Sequence, residues 1–342
     1  MTDRQTDRQT DRHSLLSKFF LVRREGVSTV IRVLGLKIKI PSKNKQAQAR
    51  VMELKRYQDS GYGKMYNAIN DAVRRWSTPA RLYVVNIMLT EHCNFNCFAC
   101  GNFSQLVEPE YADIDVVTRD LTKLAELTGG AVDYIQLTGG EPLLHPNVIS
   151  FFEISRKLFP DSRIRFITNG ILLPKQGVEF WEAVKKYKVT LAPTRYPEID
   201  WDKVESYAAQ FGVELQYLDG VERESLYRPF DTRGVQNETM NFSMCPSAGQ
   251  CQILKDGRFY LCIFPAVIRH FNKHFNQSLE VSKFDYIELD KVQSVQEILS
   301  LVARPLPFCR YCNIWGHKRM GTHLLSNRDI SEYVMPEQIK DI

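Results

Sequence analysis

The clearest pattern along the chain is an alternation of short apolar runs with longer amphipathic segments, which begins near residue 82. Leu82–Leu89 is an apolar, β-branched run, typical of a buried strand. Ile114–Leu127 repeats its apolar residues every three or four positions and so predicts an amphipathic helix. The alternation continues, and it predicts strands at Val132–Leu137, Arg163–Ile167, Val189–Ala192 and Val213–Tyr217 and helices at Val148–Leu158, Val178–Tyr187 and Asp200–Phe211.

Strands that alternate with helices predict an α/β fold with a parallel sheet. A closed eight-fold barrel needs about 250 residues, and this segment is much shorter, so we expect an open, partial barrel. Functional groups in such folds gather at the C-terminal ends of the strands. We therefore expect the residues that follow each predicted strand to meet at one rim.

The N-terminal part of the chain divides into two segments. Residues 1–13 repeat Thr-Asp-Arg-Gln and contain no apolar cluster, so we expect a disordered tail. Residues 14–79 form a basic extension. Residues 14–40 alternate apolar and basic groups, which fits either a helix and an edge strand packed on the main domain or a segment that contacts a membrane surface or a partner. Residues 44–77 predict helix.

Composition narrows the class of protein. The chain has 342 residues, of which 44% are hydrophobic, so it can form a full hydrophobic core without disulfides. The net charge of +5 is too weak to indicate nucleic-acid binding, and we expect none. There are eight cysteines but no apolar leader and no run as long as a membrane span. This combination favours metal binding in a reducing compartment, and we expect a cytoplasmic protein.

Three cysteines follow the first predicted strand closely. Cys93, Cys97 and Cys100 have the spacing C-x3-C-x2-C within the cysteine loop, residues 90–100. Four cysteines normally hold a cubane iron–sulfur cluster. Three would leave one iron open, as a catalytic metal site keeps a position for its substrate. The alternatives are inert buried thiols or a zinc site with His92 as the fourth ligand.

A second motif, Gly139-Gly140-Glu141-Pro142, follows the second predicted strand. Together with C-x3-C-x2-C it resembles the radical S-adenosylmethionine (SAM) enzymes, over roughly residues 80–315. The resemblance implies a partial (β/α)6 barrel and a [4Fe–4S] cluster whose open iron binds the amino and carboxylate groups of SAM. It also implies reductive cleavage of SAM to a 5′-deoxyadenosyl radical, with a flavodoxin- or ferredoxin-type reductant.

The resemblance assigns further residues to the cofactor. Gly139 and Gly140 lack a Cβ, so their carbonyls can approach a ligand closely, and this strand end would bind the SAM ammonium group. Glu141 and Pro142 would fix the turn.

Three more predicted cofactor contacts lie on other loops. Asn169 lies in a Thr-Asn-Gly turn where the family places polar contacts to SAM, although Asn-Gly is also a generic turn pair. Thr194 follows the fourth predicted strand and is expected beside it. The family usually has an aromatic residue just before the third cysteine; this chain has Ala99 there, with Phe98 as the candidate to pack on adenine.

A second set of cysteines lies toward the C-terminus. Gln252–Leu261, with Asp256-Gly257 at its centre, predicts a β-hairpin. The surrounding spacing resembles the shortened auxiliary ("twitch") form of the SPASM domains, in particular the 2-deoxy-scyllo-inosamine dehydrogenase type. That resemblance implies a second, fully ligated [4Fe–4S] cluster, with Cys251 left over or replacing Cys245; a structural zinc ribbon is the alternative. The cysteines concerned are Cys245, Cys251, Cys262, Cys309 and Cys312.

These features predict a radical SAM oxidoreductase that modifies a small substrate, with a carbohydrate or cyclitol derivative as the expected class. A fully ligated second cluster would accept an electron from the substrate radical. A peptide-modifying SPASM-type enzyme and a non-catalytic iron–sulfur or zinc scaffold are the alternatives. The loop Asp219–Asn241, with Arg228, Asp231 and Arg233, is a candidate for phosphate binding, as are Thr194, Arg195 and Tyr196 for substrate contacts. The predicted domains are a core at 80–240, a small cysteine-rich hairpin domain at 241–315 and a tail at 316–342.

Overall fold

The computed structural model describes residues 20–25, 28–33, 36–41, 71, 73, 75–218, 222–250 and 252–341. The chain divides into two compact units, residues 1–70 and residues 71–342. The predicted tail at 1–13 and most of the predicted helix at 44–77 lie outside the described residues. No helix among the described residues is long and apolar enough to cross a membrane.

The first unit contains a small antiparallel sheet. Its strands are Phe20–Glu25 (β1), Ser28–Val33 (β2) and Leu36–Pro41 (β3), in the order β1-β2-β3. The expectation of a helix and an edge strand was therefore wrong for this segment. The sequence Leu-Lys-Ile-Lys-Ile of β3 alternates with a period of two, which suits a strand and not a helix.

The second unit is built on a sheet whose central strands are parallel. These strands are Leu82–Thr90 (β4), Val132–Gly139 (β5), Arg163–Thr168 (β6) and Val189–Pro193 (β7), side by side in chain order. Each is followed along the chain by a helix: Ile114–Thr128 (α1), Val148–Leu158 (α2), Val178–Lys186 (α3) and Trp201–Gln210 (α4). The predicted bounds lie close to these, and the prediction of a partial α/β barrel is confirmed.

Local sequence explains where these helices begin and which face they bury. Asp113 caps α1 by accepting a hydrogen bond from the backbone N–H of Asp115 at 2.8 Å, and Gly129 ends the helix with φ of +59°. Leu121 and Leu124 of α1 are fully buried. Asp200 caps α4, as predicted, by accepting from the backbone N–H of Lys203 at 3.1 Å.

The predicted strand Val213–Tyr217 is not formed as a regular strand. The segment nevertheless runs beside β7, because the N–H of Gln216 donates to the carbonyl of Leu191 at 2.9 Å and that of Leu218 donates to Pro193 at 3.1 Å. Two backbone hydrogen bonds tie the segment to the barrel edge without completing a ladder.

The predicted β-hairpin is present and extends the main sheet. Ile253–Lys255 (β9) and Arg258–Tyr260 (β10) pair across Asp256 and Gly257, which both have positive φ, as the tight hairpin turn requires. The strand β9 also pairs in parallel with β4, on the side opposite β5. Tyr286–Glu288 (β11) then pairs with β10 at the sheet edge.

The remaining elements pack around this hairpin. They include Leu226–Tyr227 (β8), Glu238–Met244 (α5), Ile263–Phe275 (α6), Val295–Val302 (α7) and Lys318–Arg319 (β12). A cluster of buried aromatic rings joins α6 to the loop after β8 and to the C-terminal segment; its members include Phe103, Phe230, Phe264, Phe271, Phe308 and Tyr333.

A cluster of ion pairs around the buried Glu91 connects the hairpin and α6 to the end of β4. The carboxylate of Glu91 lies 2.9 Å from the ammonium group of Lys255 and contacts His270 and Arg269. Burial alone would raise the pKa of Glu91, but these partners outweigh it and lower the pKa to about 2. The start of the cysteine loop is thereby fixed to both neighbouring elements.

Candidate active site

A cavity of about 350 Å³ opens at the C-terminal ends of the parallel strands. It is lined by residues from four successive strand ends and from the C-terminal part of the chain. Predicted site residues that line it are Cys93, Cys97, Phe98, Cys100, Gly139, Gly140, Asn169 and Thr194. The structure thus brings these residues to one rim.

The three thiols of the cysteine loop lie near one another in a largely buried setting. Burial, with a contribution from the neighbouring thiol of Cys100, raises the pKa of Cys97 to about 12. Burial likewise raises the pKa of Cys93, with contributions from Glu141 and Cys100. Thiolates at Cys93 and Cys97 therefore need a nearby cation to compensate their charge, so the donor set fits a bound metal cluster.

Cys93 is also surrounded by hydrogen-bond donors. The backbone N–H of Phe95 lies 3.3 Å from its Sγ, and the Nδ2 amide of Asn169 lies 3.7 Å from the same atom. Such contacts orient a metal-bound thiolate.

His92, the fourth ligand of the alternative zinc site, lies apart from the cavity. Its Nδ1 accepts a hydrogen bond from the backbone N–H of Glu110 at 3.1 Å, and it is not among the residues that line the cavity.

The two glycines of the GGEP motif are required by the cysteine loop itself. A Cβ on Gly139 would lie 2.2 Å from the carbonyl oxygen of Thr90, and one on Gly140 would lie 1.9 Å from that of His92. The backbone N–H of Gly140 donates to Thr90 at 2.9 Å. The lack of side chains at these two glycines therefore lets the two strand ends pack together. From the sequence we expected instead that it would let a ligand approach the backbone.

Glu141 and Pro142 support the turn from beneath the cavity and are not among its lining residues. Glu141 is completely buried, and its carboxylate accepts from the Thr168 hydroxyl at 2.7 Å and from two backbone N–H groups. Burial raises the pKa of Glu141 to about 7 despite these bonds. Pro142 begins the 3-10 turn Pro142–Leu144.

The other predicted cofactor residues have distinct settings. The side-chain amide of Asn169 donates to Asn94 at 2.8 Å, which ties the third strand end to the cysteine loop. The backbone N–H of Thr194 donates to Thr168 at 2.9 Å. Phe98 lines the cavity, while Ala99 adopts φ of +49° and donates its N–H to Glu332 at 3.2 Å.

The C-terminal segment 322–335 encloses the cysteine loop, which the sequence did not predict. The N–H of Phe98 donates to Leu324 and the N–H of Ser326 donates to Asn96, both at 2.9 Å. Glu332 is buried and, besides Ala99, accepts from the hydroxyl of Ser326 at 2.7 Å. No motif in residues 316–342 signals this role, because the contacts are made mostly by the backbone.

Comparison with known proteins identifies the core of this site. Residues 87–195 match the family model of the radical SAM superfamily. The match begins within β4 and ends just beyond β7. It therefore includes the cysteine loop and all of β5, β6 and β7. Over residues 87–195 the chain is therefore similar to the radical SAM superfamily.

Several curated proteins are similar to part of this chain. The chain is 27% identical over 124 residues to GTP 3′,8-cyclase of Alkaliphilus oremlandii, covering 35% of this chain and 38% of that protein. It is 34% identical over 117 residues to molybdenum cofactor biosynthesis protein 1 of Bos taurus, covering 33% and 18%. The chain thus spans well under half the length of these relatives.

Solved structures with a similar arrangement include BtrN in complex with AdoMet and 2-DOIA. The TM-score is 0.41 at 13% identity, covering 74% of this chain and 98% of that one. The anSMEcpe structure with bound AdoMet gives a TM-score of 0.32 at 19% identity, covering 39% and 42%.

Beyond the radical SAM domain, basic residues reach the cavity. Arg223 and Arg228 are the permanently charged side chains among the described lining residues. The Arg228 guanidinium lies over the ring of Phe264 at 5.2 Å, and its buried Nε has no partner among the described atoms.

Other predicted substrate residues are placed elsewhere. Arg195 lies over Tyr217 at 5.1 Å and is not a lining residue. Asp231 is fully buried and pairs with Arg233 at 3.0 Å, so these two hold the loop together. The prediction of a phosphate-binding role for Asp231 and Arg233 does not fit this placement, whereas Arg228 does reach the cavity. Tyr196 lines it and hydrogen-bonds to the thiol of Cys97.

The C-terminal cysteines come together although they are far apart in sequence. Cys245 follows α5, and Cys262 directly precedes α6. Cys309 lies within the 3-10 turn Pro307–Tyr311, and Cys312 directly follows that turn. Burial raises the pKa of Cys312 well above its usual value, and the three other thiols raise it further. Cys251 lies outside the described residues.

One amide binds the backbone of two of these four cysteines. The Nδ2 group of Asn241 donates to the carbonyls of Cys309 at 2.8 Å and of Cys312 at 2.5 Å. Within the described residues, no three ligating side chains are close enough to hold a single metal ion. A [4Fe–4S] cluster places each thiolate on a different iron and so takes more widely spaced cysteines.

Proposed function

We propose that the protein is a radical SAM enzyme that cleaves SAM reductively and acts on a small polar substrate in the same cavity. The observation that carries this proposal is the convergence of three half-buried thiols, the two glycines of the GGEP motif and Asn169 on one cavity. When bound, a [4Fe–4S] cluster and SAM supply a 5′-deoxyadenosyl radical that abstracts a hydrogen atom.

Residues of the chain would bind the cluster, orient its ligands and shield it from solvent. Cys93, Cys97 and Cys100 would hold the cluster, and Asn169 orients Cys93. The carbonyl of Gly139 accepts a hydrogen bond from the side-chain amide of Asn102 at 2.5 Å. The segment 322–335 covers the backbone of the loop and keeps water and oxygen from its outer side.

The second part of the proposal concerns the C-terminal cysteines. Cys245, Cys262, Cys309 and Cys312 would ligate an auxiliary [4Fe–4S] cluster of the twitch type, supported by their mutual proximity around Cys312. With four protein ligands, such a cluster has no corner for SAM. It suits the task of taking the electron that a substrate radical loses, which makes the net reaction a two-electron oxidation.

The substrate proposal rests on the charge of the cavity. Arg223 and Arg228 favour a molecule that carries a carboxylate or phosphate, and the polar groups of Ser225, Thr194 and Gln136 also line the cavity. A carbohydrate or cyclitol derivative with an anionic group fits this lining and the small volume of about 350 Å³.

The central experiment measures 5′-deoxyadenosine. The full chain is reconstituted anaerobically with iron and sulfide, supplied with SAM and reduced with dithionite. We expect 5′-deoxyadenosine from the wild type and none above background from Cys97→Ala. A non-catalytic scaffold would give equal, background amounts from both proteins.

Iron and sulfide content tests the auxiliary cluster separately. Wild type should hold about eight iron atoms per chain and Cys309→Ala/Cys312→Ala about four, while retaining cleavage of SAM. Cys251→Ala is the matched control and should keep about eight. Equal iron in the wild type and the double variant would rule out this second site.

The two-electron oxidation has its own test. Substrate turnover with a limiting quantity of dithionite should exceed the electrons supplied, because the auxiliary cluster returns one electron for each substrate oxidised. A requirement for one supplied electron per turnover would contradict the oxidation, whatever the result for SAM cleavage.

A further inference from the structure

A histidine and a glutamate that the proposed function does not use lie beside the cavity. His323 is one of the lining residues, although it comes from the C-terminal segment, far beyond the radical SAM domain. Its Nδ1 lies 2.6 Å from Oε1 of Glu198, in the loop after β7. The His323 side chain is 1% exposed, whereas that of Glu198 is 38% exposed.

This pairing fixes what the other ring nitrogen can do. A carboxylate only accepts hydrogen bonds, so Nδ1 of His323 carries a proton, and in the neutral ring Nε2 presents a lone pair. Nε2 is buried and has no hydrogen-bond partner among the described residues. Buried polar atoms in folded proteins are nearly always satisfied, so a donor from a bound molecule is expected at this nitrogen.

The imidazole ring is held in place by two aromatic side chains. Phe95 stacks on it at 5.3 Å with an interplanar angle of 16°, and Tyr196 packs edge-on at 4.8 Å. Phe95 lies between the first two cysteines of the loop, and Tyr196 contacts Cys97. The acceptor is therefore prepared next to the proposed cluster, with little freedom to turn away.

We infer that Nε2 of His323 accepts a hydrogen bond from a ribose hydroxyl of SAM, with Glu198 as the residue that positions the ring. This inference rests on the proposed function, which places SAM in this cavity. The site needs an O–H or N–H donor near the cysteine loop, and the ribose is the part of SAM that carries hydroxyl groups. The C-terminal segment then completes the cofactor site that the radical SAM domain begins.

Equilibrium binding of SAM to the full, cluster-reconstituted chain under argon tests the inference. His323→Phe retains a ring between Phe95 and Tyr196 but removes the acceptor, and we expect about tenfold weaker binding. His323→Gln retains an acceptor oxygen and should recover most of the affinity. The control Glu126→Gln, at an exposed position on α1, should bind as the wild type does.

A second comparison separates a direct contact from a structural effect. The 2′-deoxy and 3′-deoxy forms of SAM should identify one hydroxyl whose removal weakens binding to the wild type about tenfold. The same removal should change the affinity of His323→Phe little, because the partner is already absent. Iron content and thermal midpoint are measured in every variant, so that a damaged cluster is recognised.

Three results decide the matter. Wild-type affinity for SAM in His323→Phe overturns the inference while leaving the proposed function intact, and would assign the acceptor to another bound molecule. If replacing His323 by Phe lowers the affinity by the same factor for SAM and for both deoxy forms, the inference is also overturned, because the ring would then act only through packing. Failure of the wild type to bind SAM refutes the proposed function, and the inference falls with it.

Discussion

The buried carboxylate of Glu141 accepts a hydrogen bond from the backbone N–H of Asn169 at 2.7 Å, which joins the second strand end to the third. The same carboxylate accepts from the hydroxyl of Thr168 at 2.7 Å and from the N–H of Leu143 at 3.0 Å. One side chain beneath the cavity therefore satisfies three donors that have been removed from water. Its role is to hold together the loops that line the cavity.

Removing this carboxylate should destabilise the fold. Glu141→Ala leaves the three donors without their acceptor, and we expect the free energy of unfolding to fall by about 3 kcal/mol. Urea unfolding at neutral pH measures the change. Glu126→Ala, on the exposed face of α1, is the control and should shift stability by less than about 0.5 kcal/mol. Similar losses for both variants would contradict the role given to Glu141.

Adding one methyl group at Gly140 should displace the cysteine loop. The new Cβ would lie 1.9 Å from the carbonyl oxygen of His92, which is a backbone atom and cannot move without the loop that carries it. We expect Gly140→Ala to retain less than half of the iron of the N-terminal cluster, measured by iron content and visible absorbance. Gly177→Ala is matched, because its Cβ would meet only the flexible end of Glu179 at 2.7 Å. Normal iron in Gly140→Ala would show that the loop tolerates a shift.

Asp231 should make the stability of the protein depend on pH. Burial alone would raise its pKa, but hydrogen bonds from Arg233, Gln236 and Gln338 lower it from the ordinary 3.8 to about 2. Because the folded pKa is depressed, this contribution is present above pH 3.8 and is lost as pH falls through about 2. Its size at neutral pH is about 2 kcal/mol.

The variant Asp231→Asn isolates this contribution. Urea unfolding at pH 7 should show the variant to be less stable than the wild type by about 2 kcal/mol, and the difference should shrink at pH 3. A difference of equal size at both pH values would mean that the charge of Asp231 is not what stabilises the loop.

The C-terminal segment should protect the cluster from air. Glu332→Ala removes the acceptor for Ala99, Ser326 and Asn327, which loosens the cover over the cysteine loop. We expect iron to be lost in air a few times faster than from the wild type, followed by absorbance. Glu337→Ala, at an exposed position just beyond this segment, should behave as the wild type. Equal rates in all three proteins would remove the protective role.

The sequence predicted the barrel well because its periodicity is strong. The apolar run of β4 and the amphipathic repeat of α1 are local signals, and capping by Asp200 could be read from its position before an apolar segment. Val213–Tyr217 failed as a strand because strand formation depends on a neighbour, which local sequence does not report. The same limit explains the first unit, where a short alternating run was mistaken in part for a helix.

The site was only partly accessible to sequence reasoning. The cysteine and GGEP motifs are compact, so their meeting at one rim followed from the parallel topology. The reason for Gly140 was misjudged, because the atom that excludes a side chain belongs to His92, a residue distant in sequence. His323 and Glu332 carry no motif, and their partners lie more than a hundred residues away.

The pairing of β9 with β4 has a mechanical consequence. One edge of β4 hydrogen-bonds to the hairpin that leads into Cys262, and its end leads into Cys93. Cys93 and Cys262 therefore both follow strands of one sheet, so when the surface loops move we expect little change in the distance between these two thiols. An electron passing between them would meet the same gap at each turnover, and a graft that exchanged the C-terminal module would have to reproduce that strand register.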